Sequence, residues 1–364
     1  MAVGATIAAL MLVLTACGQA GTTTPTGTDT GSPTATSTNP QYPDFLACMV
    51  SDQGGFDDKS FNQTSFKGLQ NAVADYGVQE KHVQSATATD YDNNVASMVA
   101  AGCNIIIGVG YNLSPSIVSA AQDNPNIFFA VVDDNPQATS NFKAIVFNTN
   151  ESSFLAGYLA ASITQTGIVG TYAGMLIPSV TIFMDGYAQG VDYYNQQKGT
   201  SVKVLGWDVA SQSGTAVQSE SPFTDIPAGK TAAQNQVAQG ADVLFPVAGN
   251  AGTGALQVAA ASNGKVSAIW VDTDGCVSAS DYCSIMPTSV YKAMDVAVEQ
   301  VIVDAASGNF SSQPYVGTLA NNGTGIAPFH DWDSKISDQT KSELDQIKQQ
   351  IIDGTIVVNS VNAH

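Results

Sequence analysis

Positive charge is scarce in this chain of 364 residues: 12 Lys and Arg stand against 31 Asp and Glu, for a formal charge of −19. Nucleic-acid backbones and anionic headgroups both need clustered cations, so this balance argues against either as a partner. Charged residues of both signs make up only 12%, whereas 44% are apolar, which suits a sizeable core and not a disordered chain. Histidine is rarer still. His82, His330 and His364 are the three present, none beside a cysteine pair, so neither a zinc site nor a cofactor is expected. Catalytic signatures are missing too, with no Gly-x-Ser-x-Gly elbow and no His-Glu-x-x-His helix. Gly229-Lys230-Thr231 imitates the end of a phosphate loop, but Thr224 stands where that motif requires glycine.

Long apolar runs are absent after the first sixteen residues. Met1 to Ala16 is apolar or small and stops at Cys17, too short for a membrane span and suited to a signal-peptide core. Leu14-Thr15-Ala16-Cys17-Gly18 looks like a bacterial lipobox, so Cys17 is expected to carry a lipid. Met1 to Leu10 lacks the usual Lys or Arg, and the translation start is therefore expected upstream. Residues 17–41 are mostly Thr, Gly, Ser and Pro, a flexible tether that would hold a folded body off the outer face of the cell membrane. Four cysteines remain. Cys276 and Cys283 share a polar loop and are the expected bridge; Cys48 and Cys103 lie beside apolar strands and fit buried thiols equally well.

From residue 44 short apolar runs alternate with helical patterns. Strands are predicted at 45–50, 104–109, 127–132, 144–147, 168–172, 202–207, 243–247 and 266–271. Helices are predicted at 60–76, 93–101, 151–164, 180–197, 228–239 and 252–262. Such alternation means parallel sheets covered on both faces, either one barrel or two doubly wound lobes. The strand ends carry Ser51-Asp52, Gly108-Val109-Gly110, Asp133-Asp134, Ala248-Gly249-Asn250 and Asp272-Thr273-Asp274. Ligands of doubly wound sheets bind at those ends, and carboxylates with glycines suit a polar, hydroxyl-rich ligand.

Six blocks then carry a resemblance. The first runs from Met49 to Gln63 and ends Asp57-Asp58-Lys59-Ser60-Phe61-Asn62-Gln63. The others occupy 147–158, 183–190 (with Phe183-Met184-Asp185-Gly186), 246–254, 270–274 and 288–292. Together they resemble, in order, the basic membrane protein family of bacterial lipoproteins, which includes purine nucleoside receptors. The resemblance implies an α/β type I periplasmic-binding fold, two doubly wound parallel-sheet lobes with a ligand cleft between them. Its lobes would comprise 42–150 plus about 275–310, and 151–274 plus about 311–364. It implies a monomeric, non-catalytic binding protein that passes purine nucleosides to the permease and ATPase of an ABC importer.

Carried over residue by residue, the resemblance gives Asp57 and Asn62 the base edge, and Phe66 and Phe223 the two base faces. Asp134, Asp272 and Lys292 would hold the ribose, with Asp274 possible in place of Asp272, and Gly249 would allow close backbone approach. The chemistry is coherent. An amide offers both donor and acceptor to a base edge, and a carboxylate accepts from two hydroxyls. The residues themselves leave other readings open: Phe66 as core packing, and Asp57 or Asp58 as a helix N-terminal carboxylate. A sugar-binding protein of the same fold, a nucleoside-processing enzyme and a surface antigen are the rival functions.

Overall fold

Nearly continuous apolar stretches dictate strands covered on both faces, and the computed structural model, which describes residues 39–364, contains them. β1 (Leu46–Ser51) leads through α1 (Phe61–Tyr76) to β2 (Gln79–Gln84) and α2 (Tyr91–Ala100). Then come β3 (Ile105–Val109), α3 (Ser114–Asp123), β4 (Phe128–Val132) and β5 (Phe142–Phe147). These strands pair in parallel in the order β2-β1-β3-β4-β5. The order reverses between β1 and β3, which opens a crevice beyond their carboxyl ends.

The second sheet is built the same way. α4 (Thr149–Ile163), β6 (Ile168–Ala173), α5 (Pro178–Lys198) and β7 (Lys203–Leu205) precede a small hairpin, β8 (Trp207–Asp208) with β9 (Ser213–Gly214). α6 (Ile226–Ala238), β10 (Val243–Val247) and α7 (Thr253–Ala261) follow. The strand expected at 266–271 is split at Ile269 into β11 (Ser267–Ala268) and β12 (Trp270–Asp272). A short α8 (Gly275–Ser278) leads to β13 (Ser289–Lys292), α9 (Met294–Ala306), β14 (Tyr315–Gly317), β15 (Thr324–Ile326) and α10 (Asp338–Ile352). β7-β6-β10-β11 form one ladder and β12-β13-β15 the other, so a second reversal lies between β6 and β10. Two open sheets exclude a single barrel.

The chain crosses between lobes at Asn148, at Ala293 and over 318–323. The Asn148 N–H donates to Gly317 O at 2.8 Å, and the Ala293 N–H to Gly323 O at 2.8 Å. These crossings correct the expected lobe boundaries. β13 pairs with β12, so the return to the first lobe comes after Lys292 rather than at about residue 275. β14 then pairs with β5, whose edge would otherwise be bare, before the chain crosses for the last time.

The second lobe is closed by helices in backbone contact. A Cβ on Gly157, Gly186 or Gly190 would come within 2.0–2.1 Å of a carbonyl oxygen across the α4–α5 interface, so only glycine lets these helices meet. Among the described residues no helix is long and apolar enough to cross a membrane. The expected signal peptide, the expected lipid-bearing Cys17 and the expected tether up to residue 38 lie outside the described residues.

Cys276 is bonded to Cys283, and Cys48 in β1 is bonded to Cys103 just before β3. The loop closed by the second pair spans 55 residues and that of the first pair 7. Loop-closure entropy then makes Cys48–Cys103 worth about 4 kcal/mol and Cys276–Cys283 about 2 kcal/mol. Chemical denaturation of the two double Cys→Ala variants is expected to show losses in that order; the reverse order would mean that the rim bridge is the more important constraint.

Candidate functional site

The two reversal points face one another, and the cavity between them measures about 60 Å³ in this conformation. Helix α1 supplies one wall, and its first turn is organised by Asp58. That carboxylate accepts from the backbone N–H groups of Ser60 at 3.0 Å, Asn62 at 2.9 Å and Gln63 at 3.0 Å. Groups left unpaired at a helix start are satisfied in this way, and the helix dipole favours the negative charge. Burial nevertheless pushes Asp58 up to about 6, against the opposing pull of those hydrogen bonds. Asn62 donates from Nδ2 to Asp52 Oδ1 at 2.8 Å and to Asp58 Oδ2 at 3.2 Å. Asp52 follows β1 and is itself raised, chiefly by burial, while the Gly54 N–H and Asn62 draw it down.

The floor is a buried ion triad. Lys292, the last residue of β13, places Nζ 2.6 Å from Asp133 Oδ2 and 3.0 Å from Asp272 Oδ1. Its ammonium also lies 4.5 Å from the Phe61 ring centre and 5.3 Å from that of Phe183, an electrostatically favourable setting. Asp133 and Asp272 end corresponding strands of the two lobes, and both have left-handed backbone, φ 71° and 70°. Left-handed aspartates are uncommon and strained, and the surrounding contacts must hold them there. Burial pushes Asp133 up to about 6 even with Lys292 beside it. Burial pulls Lys292 down, but the two carboxylates more than restore it, so the ammonium keeps its proton.

Phe223 closes the far wall, its ring against Gly174 and its backbone beside Gly249, which is left-handed at φ 53°. Tyr111, Asn112 and Ser179 line the same cavity. The lobes touch at its edge, where Ser60 Oγ lies 2.9 Å from Asp272 Oδ2 and the Trp270 indole N–H donates to Lys59 O at 3.3 Å.

The cavity thus brings together Asn62, Phe223, Gly249, Asp272 and Lys292. Three expected residues are corrected. Asp57 is exposed, because its neighbour Asp58 turns inward to hold the α1 N–H groups. Phe66 stacks on Phe56 with ring centres 4.6 Å apart and meets His82 edge-on, so it packs against the first lobe's core, and Phe61 lines the cavity instead. Asp134 accepts from the Asn135 N–H at 2.9 Å, leaving Asp133 to face Lys292. Asp274, the alternative to Asp272, holds the Cys276 N–H at 3.0 Å and His330 at 2.7 Å, away from the cavity. Asp274, Cys276 and His330 converge as metal ligands do, but the disulfide removes the thiolate. Asp52, Asp58, Phe61, Asp133 and Phe183 also line the cavity; for Asp52 and Asp133 the signal was their place at strand ends.

Removing one partner from a buried ion set leaves charge uncompensated, a loss of about 3–5 kcal/mol. Lys292→Met is expected to fall in that range at pH 7. A carboxylate raised in the folded state binds its proton more tightly there than when unfolded, so its contribution to stability grows as pH falls from about 6 towards its ordinary value near 4. Without the Lys292 ammonium that carboxylate is raised further still, so the variant gains more than wild type as pH falls and its deficit should shrink between pH 7 and about 5. Denaturant titrations of both proteins at the two pH values check this, and an unchanged deficit would contradict the triad.

A family model described as "ABC transporter substrate-binding protein PnrA-like" matches residues 45–362. The chain is 30% identical to the CD4+ T-cell-stimulating antigen of Listeria monocytogenes, over 86% of this chain and 88% of that one. It is 29% identical to the ABC transporter nucleoside-binding protein BmpA of Lactococcus lactis, over 87% and 90% respectively. Among solved structures it is similar to an ABC transporter solute-binding protein of Aeropyrum pernix, with TM-score 0.75, 24% identity and coverage of 87% and 94%. The arabinose-binding protein AraP of Geobacillus stearothermophilus shares the fold at TM-score 0.57, with 16% identity and coverage of 81% and 100%. Two lobes around a cleft, and a family match over nearly all the described residues, lead to one conclusion: the chain belongs to the PnrA-like family of ABC-transporter substrate-binding proteins.

Proposed function

We propose that the cleft captures a purine nucleoside outside the cytoplasm and presents it to the permease and ATPase of an importer. The observation that carries this is the Asp133–Lys292–Asp272 triad beneath a cavity walled by phenylalanine rings. Carboxylates paired with a buried ammonium suit the vicinal hydroxyls of a ribose. Aromatic faces suit a base, each stack being worth about 1–3 kcal/mol. The description of the Lactococcus lactis relative as nucleoside-binding supports the same reading. In this reading the protein is monomeric, is anchored through a lipid on Cys17 after removal of a signal peptide, and transforms nothing.

Charge sets a limit on the ligand. The chain contains no arginine, and the one lysine in the cavity is engaged by two carboxylates. Nothing there balances a phosphate, so nucleotides are expected to be rejected. Pockets for small organic ligands span roughly 300–1,000 Å³, well above the present cavity. Loading therefore requires the lobes to part and close again about the three crossings, as hinged binding proteins do.

Calorimetry on residues 39–364, unfolded and refolded to remove carried ligand, tests the proposal. Adenosine, guanosine and inosine should bind at micromolar level or tighter, about −8 kcal/mol or better. Ribose and adenosine monophosphate should bind at least a hundredfold more weakly, and Phe223→Ala should weaken nucleosides by about 1–3 kcal/mol. Tight binding of a free sugar with no nucleoside affinity would transfer the assignment to the sugar-binding reading.

A further inference from the structure

Among the described residues one group of histidine, cysteine and carboxylate converges: Asp274, Cys276 and His330, whose ligand atoms all lie within 4.8 Å of one another. It sits on the second lobe outside the cavity, and the nucleoside reading makes no use of it. Three stretches of chain meet there. Asp274 follows β12, Cys276 lies in α8, and His330 lies between β15 and α10. Asp274 Oδ1 accepts from the Cys276 N–H at 3.0 Å, which fixes the carboxylate beside the sulfur. Asp274 Oδ2 lies 2.7 Å from His330 Nε2, so that nitrogen carries the imidazole proton. His330 has left-handed backbone, φ 44°, uncommon outside glycine and held there by its surroundings.

The sulfur decides what this group can bind. Bonded to Cys283 it offers no thiolate, and one carboxylate with one imidazole is too small a set for zinc. Both cysteines of this bridge are partly exposed, unlike the buried Cys48–Cys103 pair, so a small reductant reaches it first. A dithiol closes its own disulfide and passes two electrons and two protons to the bridge, leaving thiols at Cys276 and Cys283. Cys283 Sγ starts one bond from Cys276 Sγ, so two sulfurs, one nitrogen and one oxygen then share one place. Zinc holds such a set as a tetrahedron with bonds of about 2.0–2.3 Å, which sets ligand atoms roughly 3.3–3.8 Å apart. Side-chain movement on the order of 1 Å closes the present group to that size.

We propose that Asp274, Cys276, Cys283 and His330 form a zinc site that opens when a dithiol reduces the Cys276–Cys283 bridge. Binding sends the two thiol protons to solvent, and the imidazole proton passes from Nε2 to Nδ1 as Nε2 turns to the metal. Bridge and metal exclude one another, so this part of the second lobe is cross-linked by one or by the other. The site stands apart from the nucleoside reading and does not depend on it.

The test uses residues 39–364 reduced with dithiothreitol, freed of it without air, and titrated with zinc. One zinc per chain is expected, bound at least a hundredfold more tightly than by the oxidised protein. Cobalt in its place should show the intense visible absorption of a tetrahedral site and a sulfur-to-metal band in the near ultraviolet. Cys276→Ala/Cys283→Ala, treated alike, is expected to lose both signals, and His330→Ala to weaken zinc at least tenfold. The Cys48→Ala/Cys103→Ala variant repeats the titration without the buried bridge, so opening of that bridge does not confuse the result. Equal zinc affinity of reduced and oxidised protein overturns the proposal, as does tight binding that survives in Cys276→Ala/Cys283→Ala.

Discussion

A lysine buried between two aspartates sets the terms for everything around it. Lys292 comes from a strand of the second lobe, Asp133 from the first lobe and Asp272 from the second, so this charge set spans the cleft. In a chain of net charge −19 without arginine, few cations can serve this purpose. An isolated carboxylate in such a place would take up a proton or draw in water. The ammonium gives both aspartates a buried counter-charge. The phenylalanine rings of Phe61 and Phe183 suit the same ammonium, which explains why apolar and ionic groups share so small a space.

Much of the architecture was legible in the sequence because its causes are local and periodic. Apolar runs marked the central strands of both lobes, and their polar ends marked the rim where the cavity lies, whereas the polar, mostly exposed edge strand β2 and the short β13, β14 and β15 carried no such signal. The strand-end reasoning pointed to Asp52 and to the Asp133-Asp134 pair. Choosing between neighbours was harder. Asp133 rather than Asp134 faces the lysine because a left-handed residue redirects the chain at that point, and no pattern of residue types announces it. Asp58 rather than Asp57 turns inward because three backbone N–H groups need an acceptor. Phe66 sits one turn beyond Asn62 on the same helix, yet its ring finds Phe56 and His82. Spacing along a helix gives a face, not a partner.

Some blocks that carried the family resemblance do other work. Gly157, Gly186 and Gly190 fall within two of them and allow α4 and α5 to touch backbone to backbone. Such blocks report the construction of a lobe as much as the chemistry of a ligand. The second disulfide is a similar case. Cys48 and Cys103 are both fully or almost fully buried among apolar side chains, so composition alone did not distinguish a bridge from two thiols.

Lys292 is followed immediately by Ala293, where the chain crosses from one lobe to the other. A lever moves least beside its fulcrum. In the proposed hinge motion, the ammonium beside a crossing travels less than groups farther from it. Charge balance at the bottom of the cleft can thus persist through the whole stroke, and a ligand arriving at an open mouth meets a floor already set and a wall still to come.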